Sequence, residues 1–219
     1  MARPLLAPTL LLTLLFAACI GVIRARPYDA TDLRAFLTPA DDCSMPCFIG
    51  IRPGVTTLDE AAAILQAHEW VGDITVENYP HGDMPWGFVR WNWNGEQPTF
   101  LTTPDNPDMQ FVRSESGVVA DIIVHTSIHL ADAWLIYGSP SRAVVDVQPS
   151  SVYGAQLFNS NGYPELGFAL LSYRPCPTTL KTFWSAPVFI TYHLQSDISI
   201  MPASNVQDSV AHWNQVCRG

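Results

Sequence analysis

Basic residues are scarce in this chain. Beyond Arg26 it carries 20 Asp and Glu but only 8 Lys and Arg, since Arg3, Arg24 and Arg26 account for 3 of its 11. An acidic surface repels phosphate backbones, so we do not expect nucleic acid among the partners. Charged residues make up only 14% of the sequence and hydrophobic residues 48%, which is typical of a folded globular protein rather than a disordered one.

The sequence also lacks the short motifs of the common enzyme classes. Gly-x-Ser-x-Gly and His-Glu-x-x-His do not occur. There is no Gly-rich phosphate loop and no twelve-residue calcium loop. We therefore predict no cofactor and no catalytic residue, and we expect a protein that acts by binding.

One histidine pair gives the alternative to this expectation. His125 and His129 have metal-like spacing, and Asp132 lies three residues further on. In a single helix the three side chains would share one side and could serve a metal-dependent hydrolase. Thr126 and Ser127 instead favour a helix start between the two histidines, which would separate them.

The one long hydrophobic run lies at the N-terminus. Residues 5–23 carry no charge and are mostly apolar. At about 1.5 Å per residue this run spans a hydrocarbon core of about 30 Å. We predict that residues 1–26 form a single-pass anchor in the cell membrane and that the rest of the chain is extracytoplasmic. A lipoprotein attached through Cys19 and a protein secreted after cleavage of an export signal remain the alternatives.

Only four cysteines lie beyond this leader. An even number in an exported domain predicts two disulfides, and we favour Cys43–Cys47 and Cys176–Cys217. The first pair lacks the Cys-x-x-Cys spacing of redox sites, so we interpret it as structural. The second pair closes a much longer loop and should stabilise the fold by about 3–4 kcal/mol.

The remaining chain divides into a linker and one domain. We interpret residues 27–46 as a juxtamembrane linker with a short helix, and residues 47–219 as an extracytoplasmic α+β domain. Thr57 and Glu60 have the spacing of a capping box, and apolar residues at helical spacing follow them. A helix is therefore predicted from Leu58 onward.

Short runs rich in β-branched and aromatic residues follow this helix, with turn residues between them. Their close spacing predicts antiparallel meanders, so the fold class is α+β with helices packed on antiparallel sheet. The predicted strands are 73–79, 86–93, 98–103, 109–115, 118–126, 142–148, 151–159, 166–174 and 186–195.

A second helix is predicted between these strands. Ser127 is its candidate N-cap and Gly138 its stop. A last short helix, capped by Ser204, is predicted in the C-terminal tail. The apolar stripe of the second helix would be Ile128, Ala131 and Leu135.

The two main helix segments align at a constant offset of 70 residues, with Thr57 over Ser127 and Leu65 over Leu135. Strands follow each of them. This pattern suggests a helix-plus-meander unit used twice, in possible repeats 47–124 and 125–219.

Aromatic residues concentrate in the first meander. Because Trp is enriched at interaction hot spots, Trp86, Trp91 and Trp93 are the candidate binding residues. The competing interpretation is core packing under a helix, and Val89, Trp91 and Trp93 share one face of a strand by period two.

Residues 43–57 carry the pattern Cys-x-x-Pro-Cys-x-x-Gly-Ile-x-Pro-Gly-x-Thr-Thr, and residues 137–140 read Tyr-Gly-Ser-Pro. This combination resembles the signature of a group of uncharacterised bacterial exported or membrane-anchored proteins. More loosely, Gly54 and Thr56 leading a helix are similar to small outer-membrane assembly lipoproteins and to the β-lactamase-inhibitor-protein fold. Those proteins act by binding other proteins, so the resemblance implies an extracytoplasmic protein partner.

Overall fold

The structure is a computed structural model, which describes residues 13–17, 31–37, 43–44, 46–79, 85–101, 110–193 and 217. The chain separates into two compact units, Met1–Asp32 and Leu33–Gly219. Of the predicted leader, only residues 13–17 are described, and they are helical and exposed. Among the described residues, no helix combines the length and the apolar character needed to cross a membrane. The predicted tail helix at Ser204 lies outside the described residues.

Besides the helical residues 13–17, the described chain contains four α-helices, two 3-10 helices and eight strands. The α-helices are α1 Thr31–Leu37, α2 Leu58–Ala67, α3 Leu130–Tyr137 and α4 Leu180–Trp184, and the 3-10 helices are Thr99–Leu101 and Pro164–Leu166. The strands are β1 Val71–Tyr79, β2 Trp86–Trp93, β3 Gln110–Glu115, β4 Val118–His129, β5 Arg142–Ser150, β6 Gly154–Tyr163, β7 Phe168–Pro175 and β8 Pro187–His193.

All eight strands form one antiparallel sheet in the order β1-β2-β3-β4-β8-β7-β6-β5. The sheet consists of two four-stranded meanders that meet where β4 pairs with β8. At this seam Ile122 lies opposite Tyr192 and Val124 opposite Ile190. The predicted α+β class with helices and antiparallel sheet is thereby confirmed.

Helix α2 begins at the capping box that the sequence predicts. The Thr57 side chain accepts the Glu60 N–H at 3.3 Å, and the Thr57 N–H donates to Glu60 Oε2 at 2.9 Å. Leu58, Ala61 and Leu65 form the buried side of the helix. Full burial of a Leu side chain contributes about 1.5–3 kcal/mol, so this stripe fixes α2 on the sheet.

Gly87 identifies the side of the sheet on which α2 lies. A Cβ atom placed on Gly87 would lie 2.6 Å from Leu58 Cδ2. Val89 and Trp91 point to the same side of β2 because side chains alternate along a strand. They are 0% and 1% exposed, so the core lies between this side and the helices.

Helix α3 packs on the same side of the sheet. Its Tyr137 ring lies 5.3 Å from that of Phe168, measured between centroids. The cross-strand register connects Phe168 with Val89 through one row of buried residues, namely Tyr192, Ile122 and Val112. The opposite side of the sheet, which we call the outer face, therefore carries neither α2 nor α3.

The second helix starts later than the sequence predicts. Ser127 and Ile128 belong to β4, and α3 begins at Leu130 with no side-chain cap at His129. The predicted N-cap at Ser127 is therefore wrong. The ladder between β4 and β8 continues to this point, where the Leu130 N–H donates to the Ala186 carbonyl at 2.9 Å. Pairing with a distant strand therefore outweighs the local helix signal.

The apolar stripe predicted for this helix is wrong for the same reason. Leu135 is 74% exposed, Ala131 is half-buried, and Ile128 is buried in a strand. The buried residues of α3 are Leu130 and Ala133.

Two further segments differ from the sequence prediction. The predicted strand 98–103 contains the 3-10 helix Thr99–Leu101, whose Leu101 is buried. Helix α4 has no counterpart among the helices that the sequence predicts. It begins with a capping box of Thr179 and Thr182, in which Thr stands where Glu or Gln is usual.

Both predicted disulfide pairs lie at bonding distance. The Cα atoms are 6.0 Å apart in Cys43–Cys47 and 4.5 Å apart in Cys176–Cys217. Directly after Cys47, Phe48 and Ile51 exchange two backbone hydrogen bonds and bury both side chains. The first disulfide therefore lies next to a tight turn that is held in the core.

Candidate functional site

Aromatic side chains cluster on the outer face of the first meander. Tyr79 lies directly opposite Trp86, and the two rings are stacked with centroids 3.9 Å apart. Phe88 contacts Trp86 at 5.2 Å and Phe111 at 5.5 Å, both edge to face. We call these four residues, Tyr79, Trp86, Phe88 and Phe111, the outer aromatic patch.

The stacked pair is the exposed part of this patch. Tyr79 and Trp86 are each 41% exposed, whereas Phe88 and Phe111 are half-buried. A crevice of about 320 Å³ opens beside the pair. Tyr79 and Trp86 line it together with Ser116 of the β3–β4 turn. The patch thus combines a rigid aromatic surface with a concavity next to it.

Charged side chains surround the patch and are bound to one another. Glu77 forms an ion pair with Arg90 and accepts the Tyr79 hydroxyl at 2.9 Å. This hydrogen bond raises the pKa of Tyr79. The Arg90 guanidinium lies 5.2 Å from the centroid of the Phe88 ring. Such contacts are worth little in stability at partly exposed sites, but they fix the orientation of the ring and of its polar rim.

A second ion pair continues this rim on the next strands. Arg113 Nε donates to Asp121 Oδ2 at 2.7 Å, and Arg113 also pairs with Glu115. Burial acts to lower the pKa of Arg113, but the two carboxylates outweigh it and raise that pKa. The cation of the pair is therefore already neutralised within the protein.

The three tryptophans proposed from the sequence do not lie on one face. Trp86 is on the outer face, where it is exposed. Trp91 is 1% exposed and packs on Phe48 of the core, with ring centroids 6.0 Å apart. Trp93 is half-buried and stacks edge to face on Trp91 at 5.7 Å. Period two separates even from odd positions of β2, but only the position of α2 shows which set faces outward.

The histidines of the alternative metal site both lie on β4. His125 is 7% exposed and its ring lies 4.1 Å from that of Phe189. Burial lowers the pKa of His125 to about 4. His129 is exposed, and its Nδ1 lies 3.6 Å from Asp132 Oδ2. In the part of the chain that the structure describes, no three His, Cys, Asp or Glu side chains are grouped closely enough to hold a metal ion.

The groups whose pKa values shift most lie in the interior. Burial and Glu165 raise the pKa of Tyr163 to about 12, and burial also raises the pKa of Tyr192. Neither residue lines the crevice beside the outer aromatic patch. The chemistry that this surface offers is therefore aromatic contact with a paired polar rim.

Comparison with known proteins finds no match to this chain among family models, curated proteins or solved structures.

Proposed function

We propose that this protein is a membrane-anchored extracytoplasmic binding module without enzymatic activity, which contacts a protein or an envelope component through the outer aromatic patch. The observation that carries the proposal is the stacked pair of Tyr79 and Trp86, each 41% exposed, beside a crevice of about 320 Å³. Tyr and Trp supply large contact areas and lose little conformational freedom on binding, which is why they dominate interaction hot spots.

The charges around the patch support binding rather than catalysis. Glu77 and Arg90 are paired, as are Arg113 and Asp121, so neither carboxylate is left to act alone on a substrate. A partner that covers the patch would keep these pairs at the rim, where they select against wrong partners at little energetic cost. Aromatic centre and charged rim together match the usual arrangement of an interaction surface.

The location in the proposal rests on the sequence. The leader 1–26 supports a single-pass anchor in the cell membrane, with attachment through Cys19 or secretion as alternatives. Two disulfides at bonding distance support an oxidising, extracytoplasmic compartment. The resemblance of residues 43–57 to bacterial exported proteins agrees with this location.

We also propose that the domain consists of two copies of one helix-plus-meander unit. Helix α2 precedes β1–β4, and α3 precedes β5–β8. Leu58 and Ala61 of α2 correspond in burial to Leu130 and Ala133 of α3, an offset of 72 residues at both positions. The last strands of the two meanders pair with each other at the centre of the sheet. This arrangement supports two repeats with their boundary after β4, so the predicted 47–124 and 125–219 become 47–129 and 130–219.

The binding proposal is tested by capture from membranes of the source organism, with the full chain in detergent as bait. Wild type is compared with Trp86→Ala and with Tyr153→Ala, which removes an exposed aromatic residue outside the patch. A hot-spot truncation costs about 2 kcal/mol or more, so we expect Trp86→Ala to lose a component that wild type and Tyr153→Ala retain. Retention of the same components by all three baits would refute a role for the patch.

A further inference from the structure

The two edge strands of the sheet, β1 and β5, differ in how much of their backbone is available to another strand. An edge strand exposes every second N–H and C=O group, because the groups between them bond to the neighbouring strand. Hydrogen bonds at the ends of the paired strands show which residues of β1 and β5 expose these groups.

On β1 the exposed groups belong to the even-numbered residues. The Ser116 N–H donates to the Pro85 carbonyl at 2.7 Å, so odd-numbered residues of β2 bond toward β3. The Asn94 N–H donates to the Trp70 carbonyl at 3.0 Å, so even-numbered residues of β2 bond toward β1. The even-numbered residues of β2 lie opposite odd-numbered residues of β1, such as Thr75. The odd-numbered residues of β1 therefore bond to β2, and its even-numbered residues do not.

The backbone groups of Ile74, Val76 and Asn78 therefore point away from the sheet. Val76 is 42% exposed and Asn78 is exposed as well. Among the residues that the structure describes, neither proline nor a side-chain acceptor blocks the three N–H donors. From Ile74 to Asn78, β1 can therefore hydrogen-bond to a further strand through each of these outward groups.

On β5 two of the four corresponding N–H donors are bound or missing. The Cys176 N–H donates to the Ala155 carbonyl at 3.1 Å, which places the outward groups of β5 on its odd-numbered residues. The Val147 N–H is already bound by Asp146 Oδ1 at 2.8 Å. Pro149 has no N–H to donate. Proline and charged side chains on edges are the means by which proteins prevent unwanted strand addition.

The charge beside the β1 edge indicates what kind of strand fits it. Asp73 is exposed and forms no ion pair with any described residue. It lines a depression of about 260 Å³ on β1 and β2 together with Thr75, Glu77 and Arg90. A basic side chain on an incoming strand would place its charge next to the Asp73 carboxylate. A second copy of β1 would bring only the acidic side chains of Asp73 and Glu77, so it offers no basic partner for the Asp73 carboxylate.

We propose that the β1 edge is a binding site for an extended polypeptide segment that adds a ninth strand to the sheet and carries a basic side chain beside Asp73. Backbone hydrogen bonds to Ile74, Val76 and Asn78 hold the segment, and the depression selects the side chain. This inference goes beyond the proposed function, because it uses backbone groups at the edge and does not require the outer aromatic patch.

The test begins with selection of a phage-displayed library of random twelve-residue peptides on the full chain in detergent. Selected peptides are synthesised with a fluorescent label and their affinity is measured by fluorescence anisotropy. We expect an excess of Lys and Arg at alternating positions and a several-fold loss of affinity in Asp73→Asn. Failure to select any peptide, or selection without this excess, would contradict the proposal.

Val76→Pro removes one outward donor from β1 and leaves the bonds to β2 in place. The matched control is Val145→Pro, which removes an outward donor from the opposite edge. We expect Val76→Pro to weaken peptide binding about tenfold, as the loss of one backbone hydrogen bond predicts, and Val145→Pro to leave it unchanged. Equal binding to wild type and to Val76→Pro would overturn the proposal.

If Val76→Pro does not fold, amide hydrogen exchange of the wild-type protein, measured with and without bound peptide, still tests the proposal. Bound peptide should slow exchange of the Ile74, Val76 and Asn78 amides, and unchanged rates there would refute strand addition. A dimer of the peptide-free chain that Val76→Pro abolishes would also refute it, in favour of self-pairing. Trp86→Ala should bind the peptides normally, so the edge and the outer aromatic patch can fail independently.

Discussion

His125 should make the stability of the fold dependent on pH. The residue is 7% exposed, its ring packs on Phe189, and its backbone N–H donates to Gln110 Oε1 at 2.6 Å. Burial disfavours the charged imidazolium and lowers its pKa from 6.5 to about 4. No nearby carboxylate contributes to this shift, so desolvation alone opposes protonation.

The sign of the effect follows from proton uptake. Between about pH 6.5 and pH 4 the unfolded chain binds a proton at His125 that the folded chain does not bind. The free energy of unfolding therefore decreases as the pH falls through this window and is unaffected by His125 above it. The difference between a pKa of 6.5 in the unfolded chain and about 4 in the folded chain corresponds to about 3 kcal/mol in total, of which about 2–3 kcal/mol is lost by pH 4.5.

The measurement is urea-induced unfolding of the full chain at pH 7, 6, 5 and 4.5. The free energy of unfolding is plotted against pH for wild type and for His125→Gln. The difference between the two curves isolates the titration of His125, because other groups, including the partly buried His68, contribute to both. We expect wild type to lose about 2–3 kcal/mol more than His125→Gln between pH 7 and 4.5. Parallel profiles for wild type and His125→Gln would show that the folded protein admits the imidazolium and would refute the reasoning.

Two further predictions concern stability. Gly87→Ala should destabilise the fold by about 1–3 kcal/mol in urea unfolding, because its Cβ would lie 2.9 Å from the Glu77 carbonyl oxygen and 2.6 Å from Leu58 Cδ2. Gly72→Ala, with its nearest contact at 3.4 Å, is the control, and equal losses in the two variants would contradict the packing argument. Replacing Cys176 and Cys217 by Ser should cost about 3–4 kcal/mol because the bond closes a separation of 41 residues. The same change at Cys43 and Cys47, with a separation of 4, should cost about 2 kcal/mol, and the reverse order would contradict the loop-closure explanation.

Features governed by neighbours in the sequence could be predicted from it. The start of α2 follows from Thr57 and Glu60, whose side chains bond to backbone groups within the first turn. Runs of β-branched and aromatic residues separated by turn residues predict most strands of both meanders. The even cysteine count predicts two disulfides, and the structure brings the favoured pairs together.

The candidate site was only partly predictable. Residue type singles out Trp86 but groups Trp91 and Trp93 with it, because periodicity alone does not show which side of a strand is covered. Tyr79 joins the site through its position opposite Trp86 across the hairpin. Phe111 joins through the register of the third strand, which places it within 5.5 Å of Phe88. These contacts depend on strand register, which no single segment specifies.

The sequence by itself determined the acidic balance, the two-disulfide framework, the capped first helix and the succession of short strands, because each depends on composition or on residues a few positions apart. Tertiary structure decided that β4 continues to His129 before α3 begins, since the ladder with β8 outweighs the local helix signal. It also decided that Trp91 is core while Trp86 is surface, and which residues of the edge strands β1 and β5 turn their backbone groups away from the sheet. Each of these outcomes depends on hydrogen bonds and packing between residues distant in the chain, and their free energy is gained only once the whole sheet has assembled.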